Sequence, residues 1–453
     1  MYITVMVVAM KFYGREYELS VLDEIYNQCK KTYGKITVLT GRRRIGKTLL
    51  SQKHAENKEN LYLFVNKKEE KMLCDEFVQE YENLTNKKII GQINHFYELF
   101  ELLMQYGEDH PYVLIIDEFQ EFKNINKSVF SELQKIWDKY KFKTKVHVIF
   151  IGSIYSLMKQ IFQDEKEPLY GRADRIIYIK PFKVKTIKRI LEDCGKYSEL
   201  NLFYNYMITG GVPRYIEILN ESNKYTIDEI LTNILQKDSF FIEEGRNLLI
   251  QEFGKEYGKY FSILELISIG RTSRSEIESI IEKSVGGFLE RLEVEYDIIE
   301  KVKPIGSKKD SRNQKYMIKD NFIEFWFRFI NKNMSIIISE RFEYLRRIIE
   351  RDLSTYSGPK LEKIFTEIVG YNSEFGLIGR YWEKSNLNEI DIVAINEFDK
   401  KLYFAEVKLN KNKISINKLK EKTRKLEHKY SDFDFEYEGL SLEDIGRKIE
   451  ESI

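Results

Sequence analysis

The stretch GRRRIGKT, residues 41–48, decides the fold of the N-terminal part of this 453-residue chain. It fits the pattern G-x4-G-K-[ST], follows the apolar run ITVLT (36–40), and precedes a helix-like stretch. Glycines let a loop wrap closely around phosphates, and the backbone N–H groups of the loop and of the following helix attract negative charge. A strand, this loop and a helix in that order predict a P-loop that binds nucleotide phosphates.

Each position of this stretch has an expected role. We expect Lys47 to reach the β- and γ-phosphates of ATP, and Thr48 to ligate Mg²⁺. The backbone of the loop and of the first helical turn should hold the rest of the phosphate chain. The expected nucleotide-binding residues are therefore Gly41, Arg42, Arg43, Arg44, Ile45, Gly46, Lys47, Thr48 and Leu49.

An acidic pair follows the apolar run YVLII (112–116). Asp117 and Glu118 would lie at the carboxyl end of a buried strand, the edge at which α/β sheets bind ligands. We expect Asp117 to hold Mg²⁺ through water, and Glu118 to orient or activate the attacking water. The alternative is a strand that ends in an acidic surface turn.

Five apolar runs alternate with amphipathic helical stretches between about residues 11 and 182. Near-continuous apolar runs separated by helices predict an α/β fold with a buried parallel sheet. The expected strands are 36–40, 61–65, 112–116, 146–151 and 175–179.

The composition excludes several classes of protein. Hydrophobic residues make up 43% of the chain, which supplies ample cores, and 73 basic residues almost balance 72 acidic ones. Any contact with nucleic acid must therefore come from local patches. The three cysteines are far apart, so we expect no zinc site or disulfide framework, and a cytoplasmic protein.

The opening stretch MYITVMVVAM (1–10) is apolar but lacks the features of a secretory signal. We interpret it as a short strand or as a start codon placed too early, and favour the second, with Met10 as the true start. No apolar run approaches the ~20 residues that span a bilayer, so we expect no membrane partner. The richness in Lys, Ile, Asn, Glu and Tyr is typical of an AT-rich prokaryotic genome.

A charged hairpin lies near the end of the chain, in NEIDIVAINEFDKKLYFAEVK (388–408). Residues i and i+2 of a strand share a face, so a hairpin can bring Asp391 close to Glu406 and Lys408. Two carboxylates suit Mg²⁺, which would lower the pKa of its bound water, and Lys408 could orient that water or neutralise developing charge. The alternative is a half-exposed hairpin with a solvated, charged face.

The segment from about 257 to 319 has the spacing of a winged helix-turn-helix, which would bind a DNA duplex. Its third helix carries Glu290, Glu293 and Glu295, and acidic faces repel phosphate. The alternative is a packing or protein-interaction module. The aromatic stretch FIEFWFRFI (322–330) is expected to be core. The basic residues lie in the expected wing: Lys301, Lys303, Lys308, Lys309, Arg312 and Lys315.

The order of the P-loop, the acidic pair, LYGR (169–172), GGVPRY (210–215) and FWFRF (325–329) resembles the archaeal-type P-loop ATPase family, which is related to the AAA+ and signal-transduction ATPases. The resemblance implies that the box FYGRE (12–16) contacts adenine and that GGVPRY lies at the base of a helical lid. A winged helix follows the lid in that family.

The same resemblance implies that Ser153 senses the γ-phosphate. It also makes Arg172 a γ-phosphate arginine, acting in cis or supplied by a neighbouring subunit of a homo-oligomer. Each has a simpler alternative: Ser153 as a strand-end cap, Arg172 as a surface ion-pair residue, and GGVPRY as an ordinary turn.

The D…E-x-K spacing of Asp391, Glu406 and Lys408 resembles the PD-(D/E)xK, restriction-endonuclease-like nucleases. The resemblance implies a further acidic metal ligand on the upstream helix GPKLEKIFTEIV (358–369), with Glu362 as the better match and Glu367 as the second. The expected metal ligands of the chain are thus Thr48, Asp117, Glu362, Asp391 and Glu406.

These expectations give a four-part chain, with its last boundary at STYSGPK (354–360). The main hypothesis is an ATPase coupled to a DNA-binding winged helix and a metal-dependent nuclease. The alternative is a nucleotide-dependent signalling or assembly switch with a non-cleaving C-terminal domain. The expected parts are a P-loop core (11–182), a helical lid (183–250), a winged helix (251–340) and a restriction-endonuclease-like α/β domain (354–453).

Overall fold

The computed structural model describes residues 11–308, 311, 313–383 and 387–452. The opening stretch 1–10 and two basic residues of the expected wing, Lys309 and Arg312, lie outside the described residues. The chain divides into two compact units, which we call the N-terminal unit, Met1–Pro181, and the C-terminal unit, Phe182–Ile453.

The N-terminal unit is built on a five-stranded sheet in which all four neighbouring pairs are parallel. The five predicted strands are confirmed within a residue or two at each end. The strands are β1 (Lys35–Thr40), β2 (Asn60–Phe64), β3 (Val113–Asp117), β4 (His147–Ile151) and β5 (Arg175–Tyr178).

Helices surround this sheet, as parallel strands require for burial of both faces. Every residue of β3 and β4 is buried, which explains why their sequences are continuous apolar runs. The helices are α1 (Glu16–Lys31), α2 (Lys47–Ala55), α3 (Glu70–Thr85), α4 (Phe96–Asp109), α5 (Phe122–Ile125), α6 (Val129–Tyr140) and α7 (Tyr155–Gln163).

The sheet order is β2-β3-β4-β1-β5. Strand β4 therefore lies between β1, which leads into the P-loop, and β3, which ends in the acidic pair. Parallel strands present their carboxyl ends at one edge, so the loop after β1 and the acids after β3 lie at the same edge of the sheet.

The C-terminal unit begins with five helices. Gly210, with φ +59°, ends α9, and Pro213 occupies the first turn of α10, so the first three residues of GGVPRY form the turn between these helices and the last three begin α10. The boundary expected at 250/251 falls inside α12. The helices are α8 (Val184–Asp193), α9 (Glu199–Thr209), α10 (Pro213–Glu221), α11 (Ile227–Ile234) and α12 (Phe240–Phe253).

Three helices and an antiparallel hairpin follow, and then an aromatic helical segment. Trp326 is fully buried and its Nε1 donates to Ile242 O at 2.7 Å, so the expectation that the aromatic stretch is core is confirmed. The elements are α13 (Tyr257–Ser268), α14 (Arg274–Ile281), α15 (Gly286–Val294), β6 (Ile299–Val302), β7 (Lys315–Ile318), α16 (Asn321–Phe325), a π-helical turn (Trp326–Ile330) and α17 (Met334–Ile338).

The boundary expected at 354–360 falls inside a helix as well. A single helix, α18 (Phe342–Val369), runs through this stretch with Pro359 inside it. Proline in a helix interior costs about 3 kcal/mol, but the buried face of α18 continues on both sides of it, through Ile349, Tyr356 and Leu361. Although α18 has 28 residues, neither it nor any other helix in the described part of the chain is long and apolar enough to cross a membrane.

The chain ends in a four-stranded mixed sheet of order β11-β10-β9-β8, which we call the C-terminal sheet. The expected hairpin is confirmed as the antiparallel pair β9–β10, β8 is antiparallel to β9, and β11 is parallel to β10. Helices α18 and α19 pack against the sheet. The elements are β8 (Leu377–Tyr381), β9 (Ile390–Asn396), β10 (Lys401–Lys408), α19 (Ile416–Lys429), β11 (Asp434–Ser441) and α20 (Ile445–Glu451).

Candidate functional sites

The P-loop has the backbone that its glycines predict. Gly41 has φ +142°, and a Cβ there would lie 2.6 Å from Ile179 O, so any side chain would collide with the backbone after β5. Gly46, with φ +87°, immediately precedes α2, which begins at Lys47. The first turn of α2 therefore directs its N–H groups into the loop, where the oxygens of a phosphate would accept hydrogen bonds from them.

Lys47 is buried inside the loop that it would serve. Its Nζ donates to Gly41 O at 2.8 Å and to Arg42 O at 2.9 Å. These contacts hold the ammonium group at the centre of the loop, where it can exchange a carbonyl for a phosphate oxygen.

Thr48 and Asp117 meet where the P-loop faces the end of β3. Thr48 Oγ1 donates to Asp117 Oδ2 at 2.6 Å, and the Tyr62 hydroxyl donates to the same oxygen at 3.0 Å. Burial raises the pKa of Asp117, because a charged carboxylate is costly in a low-dielectric site. A buried carboxylate beside a hydroxyl is a donor set that fits Mg²⁺, since a cation would offset the cost of that buried charge.

Glu118 is directed toward the end of β4. Ser153 Oγ donates to Glu118 Oε2 at 2.7 Å, which joins the expected γ-phosphate sensor to the expected water-orienting residue. Glu118 has φ +53°, a conformation uncommon for a side-chain-bearing residue, and its N–H donates to Asp117 Oδ1 at 2.8 Å. The local turn thus holds the two acids in different directions.

Arg172 makes surface contacts in this structure. Its Nη2 lies 3.1 Å from Asp138 Oδ2 on α6, and its Nη1 donates to Tyr170 O at 2.9 Å. The guanidinium therefore occupies the ion-pair arrangement that was the simpler alternative, and a γ-phosphate role for Arg172 stays a prediction.

Sequence reasoning missed two residues that support the nucleotide site. Arg15 is buried, and its Nη2 donates to Ile45 O at 3.1 Å and to Lys180 O at 2.9 Å, so it ties the P-loop to the chain after β5. The box FYGRE contained the signal for Arg15. Tyr62 gave no motif signal, since it is one residue of an apolar strand.

The acids and the lysine of the C-terminal hairpin converge as predicted. Asp391 Oδ2 accepts from Val407 N at 2.8 Å and from Lys408 Nζ at 3.2 Å, and Glu406 Oε1 lies 3.7 Å from Lys408 Nζ. Burial acts to lower the pKa of Lys408, but Asp391 and Glu406 raise it above its ordinary value. Lys408 is thus a charged ammonium between two carboxylates.

Glu406 has a second cationic partner, which sequence reasoning missed. Lys422 Nζ, from α19, donates to Glu406 Oε1 at 3.2 Å, and Ser415 N donates to Oε2 at 3.1 Å. Burial acts to raise the pKa of Glu406, but these two donors hold it below its ordinary value. The carboxylate is therefore ionised, and both of its oxygens have partners in this structure.

Glu362 on α18 belongs to the same cluster. Arg380 Nη2, on β8, lies 2.7 Å from Glu362 Oε2 and 3.2 Å from Glu389 Oε1. Burial raises the pKa of Glu362 to about 7; the charges of Asp391 and Glu389 act in the same direction, and Arg380 opposes them. Glu362 Oε2 is buried, and the Arg380 guanidinium is its charged partner in this structure.

Glu367, the second expected acid on this helix, has another role. Its Oε1 accepts from Val184 N at 2.7 Å, at the first residue of α8. The carboxylate thus satisfies a backbone donor at a helix N-terminus, where negative charge is stabilising.

A metal ion would fit this cluster only after basic side chains had moved away from the carboxylates. Across the described residues, no three His, Cys, Asp or Glu side chains are grouped closely enough to hold an ion. Lys408 stands between Asp391 and Glu406, and Arg380 stands beside Glu362. Each carboxylate has an oxygen donor set that suits Mg²⁺, but the basic side chains would have to shift for two of them to share an ion.

The third helix and the hairpin of the middle segment are linked by charge. Lys301 Nζ lies 2.9 Å from Glu293 Oε2, and Arg291 Nη1 lies 3.3 Å from Glu256 Oε2. The acidic α15 thus has no excess of positive charge with which to enter a DNA groove, as its sequence indicated.

Comparison with known proteins shows the family to which the chain belongs. Residues 12–219 match a family described as an ATPase domain predominantly from Archaea, and residues 326–435 match a family described as archaeal and bacterial proteins of unknown function. An uncharacterised protein of Methanocaldococcus jannaschii is 32% identical over 412 residues, which cover 88% of this chain and 87% of the relative. The chain belongs to this archaeal ATPase family. Its resemblance to archaeal-type P-loop ATPases is confirmed.

Two further likenesses are partial. A second uncharacterised protein of M. jannaschii is 34% identical over 80 residues, 17% of this chain and 78% of that relative. The Walker-type ATPase of Pyrococcus abyssi superposes with a TM-score of 0.53 at 18% identity, over 70% of this chain and 96% of that structure. At this identity the likeness concerns the fold alone, and it agrees with a P-loop fold for the archaeal ATPase.

The second family match also bears on the limits of the C-terminal part. It begins at residue 326, in the aromatic segment, and ends at residue 435, in β11. The matched region therefore crosses the boundary expected at 354, as the unbroken helix α18 does.

Proposed function

We propose that this archaeal ATPase hydrolyses ATP with Mg²⁺ and that its C-terminal sheet carries a metal-dependent nuclease that acts on DNA. The observation that carries the nuclease part is the convergence of Asp391, Glu406 and Lys408 on two neighbouring strands, with Glu362 reaching the same cluster from α18. The order of α18, three antiparallel strands, α19 and a parallel fourth strand supports the restriction-endonuclease-like reading.

In the ATPase part, the chain's own residues bind and orient. Lys47 and the N–H groups of α2 would hold the phosphates, and Thr48 with Asp117 would hold Mg²⁺. Glu118, fixed by Ser153, would accept a proton from or orient the attacking water. Bound Mg²⁺ would supply charge neutralisation at the β- and γ-phosphates.

In the C-terminal site, Asp391, Glu406 and Glu362 would hold a divalent cation, which would lower the pKa of a bound water and neutralise charge on a phosphodiester. Lys408 would move from between the carboxylates to orient the nucleophile or to stabilise the charge that develops on the phosphate. The Lys422 ammonium would keep Glu406 ionised while it binds.

The middle segment supports a nucleic-acid partner through its hairpin. The order α13, α14, α15, β6 and β7 supports the interpretation of this segment as a winged helix. Because α15 is acidic, we propose that contact with DNA is made to phosphates by the basic hairpin and not by groove readout.

The nuclease proposal is tested by incubating the pure full-length chain with double-stranded, single-stranded and branched DNA and with RNA, in Mg²⁺ or Mn²⁺. We expect cleavage that falls about a hundredfold or more in Asp391→Ala and Glu406→Ala. Glu397→Ala is the matched control, because Glu397 is an exposed acid at the tip of the same hairpin. Cleavage that persists unchanged in both site variants would remove the assignment.

The second candidate is a nucleotide-dependent switch whose C-terminal part binds without cutting. It is favoured by the charge balance of the cluster, where Asp391, Glu406 and Glu362 already pair with Lys408, Lys422 and Arg380. Absence of cleavage on every substrate, together with oligomerisation that depends on ATP, would support the switch over the nuclease.

A further inference from the structure

The hairpin of β6 and β7 packs on the C-terminal sheet. Ile305, in the segment between the two strands, donates its N–H to Arg380 O on β8 at 2.8 Å, and its side chain is buried in the apolar core of that sheet. Trp382 Nε1 donates to Asn313 Oδ1 at 2.9 Å. The expected wing is therefore attached to the edge strand of the sheet that carries the Asp391 cluster.

A line of charges runs from this hairpin into the cluster. Lys315 Nζ, on β7, lies 3.3 Å from Glu389 Oε1, and Arg380 Nη2 lies 3.2 Å from that same oxygen. Arg380 Nη2 also lies 2.7 Å from Glu362 Oε2. One carboxylate oxygen of Glu389 is thus shared by two cations, one from the hairpin and one that also holds Glu362.

This sharing makes the position of Arg380 depend on Lys315. If Lys315 leaves Glu389, that carboxylate keeps Arg380 as its remaining partner here, and the attraction of Arg380 toward Glu389 increases. Glu362 is the buried member of the line, and it then loses part of its compensating charge. A divalent cation bound to Glu362 would restore the positive charge that compensates its carboxylate.

Lys315 also has a second binding option within reach. It is about one-fifth exposed, and its ammonium lies 4.6 Å from the centre of the Trp382 ring. A partly exposed lysine at the surface of a hairpin can meet a phosphate, which attracts it through charge alone. A nucleic-acid phosphate is therefore a chemical competitor of Glu389 for Lys315.

We propose that Lys315 and Arg380 are positioning residues that couple the hairpin to the cation site: a nucleic-acid phosphate that draws Lys315 away from Glu389 moves Arg380 toward Glu389 and opens Glu362 to a divalent cation. This inference rests on the proposed cation site at Asp391 and Glu406. By thermodynamic reciprocity, a bound cation must then strengthen the binding of nucleic acid by the same factor.

The test measures Mn²⁺ binding to the full-length chain by isothermal titration calorimetry, without DNA. We expect Lys315→Met to bind Mn²⁺ at least about fivefold more tightly than wild type, since allosteric couplings are commonly of this size or larger. Lys315→Arg keeps the charge and should bind like wild type. Lys319→Met is the matched control, because Lys319 is a lysine beside the same hairpin that pairs with Asp297 instead of Glu389.

A second titration adds a saturating, cleavage-resistant phosphorothioate duplex. In wild type the duplex should raise the affinity for Mn²⁺ at least about fivefold, and in Lys315→Met it should raise it little, because Glu389 has already lost Lys315. A merely structural role of Lys315 would not remove this dependence on the duplex.

The outcomes separate the coupling from the site itself. If Asp391→Asn abolishes Mn²⁺ binding while Lys315→Met and Lys319→Met both bind like wild type, the coupling is wrong and the proposed cation site stands. If Asp391→Asn binds Mn²⁺ as tightly as wild type, the proposed cation site fails and the coupling fails with it.

Discussion

Thr48 and Asp117 are joined by a 2.6 Å hydrogen bond, from Thr48 Oγ1 to Asp117 Oδ2, across the edge of the N-terminal sheet. One residue belongs to the helix that begins at the P-loop and the other ends β3, so the bond connects the two motifs that the sequence presents far apart. The Tyr62 hydroxyl donates to the same oxygen at 3.0 Å, so a Mg²⁺ ion shared by Thr48 and Asp117 would have to replace both hydrogen bonds.

Asp117→Asn should abolish most ATP hydrolysis, because the amide keeps the shape of the side chain but loses the charge that a cation needs. We expect kcat for ATP to fall about a hundredfold or more, and the dependence of nucleotide affinity on Mg²⁺ to disappear. Steady-state phosphate release and nucleotide titrations with and without Mg²⁺ measure both effects. Asp109→Asn, at an exposed acid that ends α4, should behave like wild type.

Ser153→Ala should lower kcat for ATP more than it changes the affinity for nucleotide. Ser153 Oγ holds Glu118 at 2.7 Å, and without it the carboxylate can turn away from the attacking water. We expect a decrease in kcat of about tenfold to a hundredfold, with the dissociation constant for a non-hydrolysable ATP analogue nearly unchanged. Ser153→Thr retains the hydroxyl and should restore hydrolysis; failure of that rescue, or an equal loss of affinity, would count against this role.

Much of this molecule could be predicted from local sequence. Continuous apolar runs identified the parallel strands, and the i, i+2 spacing of β10 identified Glu406 and Lys408 as neighbours of Asp391. Arg380 and Lys422 could not be found in this way, because a basic residue on another element meets the acids only through tertiary packing, which leaves no period in the sequence.

The continuous helix through STYSGPK could not be predicted for a related reason. STYSGPK has the residues that end helices in isolation, but burial of the face that includes Tyr356 and Leu361 outweighs the local cost of Pro359. Tyr356 also donates its hydroxyl to Asn321 O at 3.0 Å, which anchors α18 beside α16. Such long-range packing is not visible in a window of seven residues.

The stability of the chain should depend on the ionisation of Glu362. Burial raises the pKa of Glu362 to about 7 from an ordinary 4.5, so the folded state binds more protons than the unfolded state between these values. The free energy of unfolding should therefore fall as pH rises from about 4.5 to about 7. Glu362→Gln should remove this contribution, which urea denaturation at several pH values would detect, whereas Glu397→Gln should keep it.

Pro359→Ala should stabilise the chain, because residue 359 is an exposed position within an otherwise regular helix. Alanine restores the missing backbone N–H and removes the clash of the ring with the preceding turn. The gain is partly offset, since proline also restricts the unfolded chain. We expect the free energy of unfolding to rise by about 1–2 kcal/mol in chemical denaturation, with Gly358→Ala in the same turn as a comparison for helix propensity alone. A decrease in the free energy of unfolding on Pro359→Ala would contradict this expectation and would indicate that the native conformation of α18 at this position requires proline. Glu362 lies about one turn further along α18, so Mn²⁺ binding would then be measured in that variant.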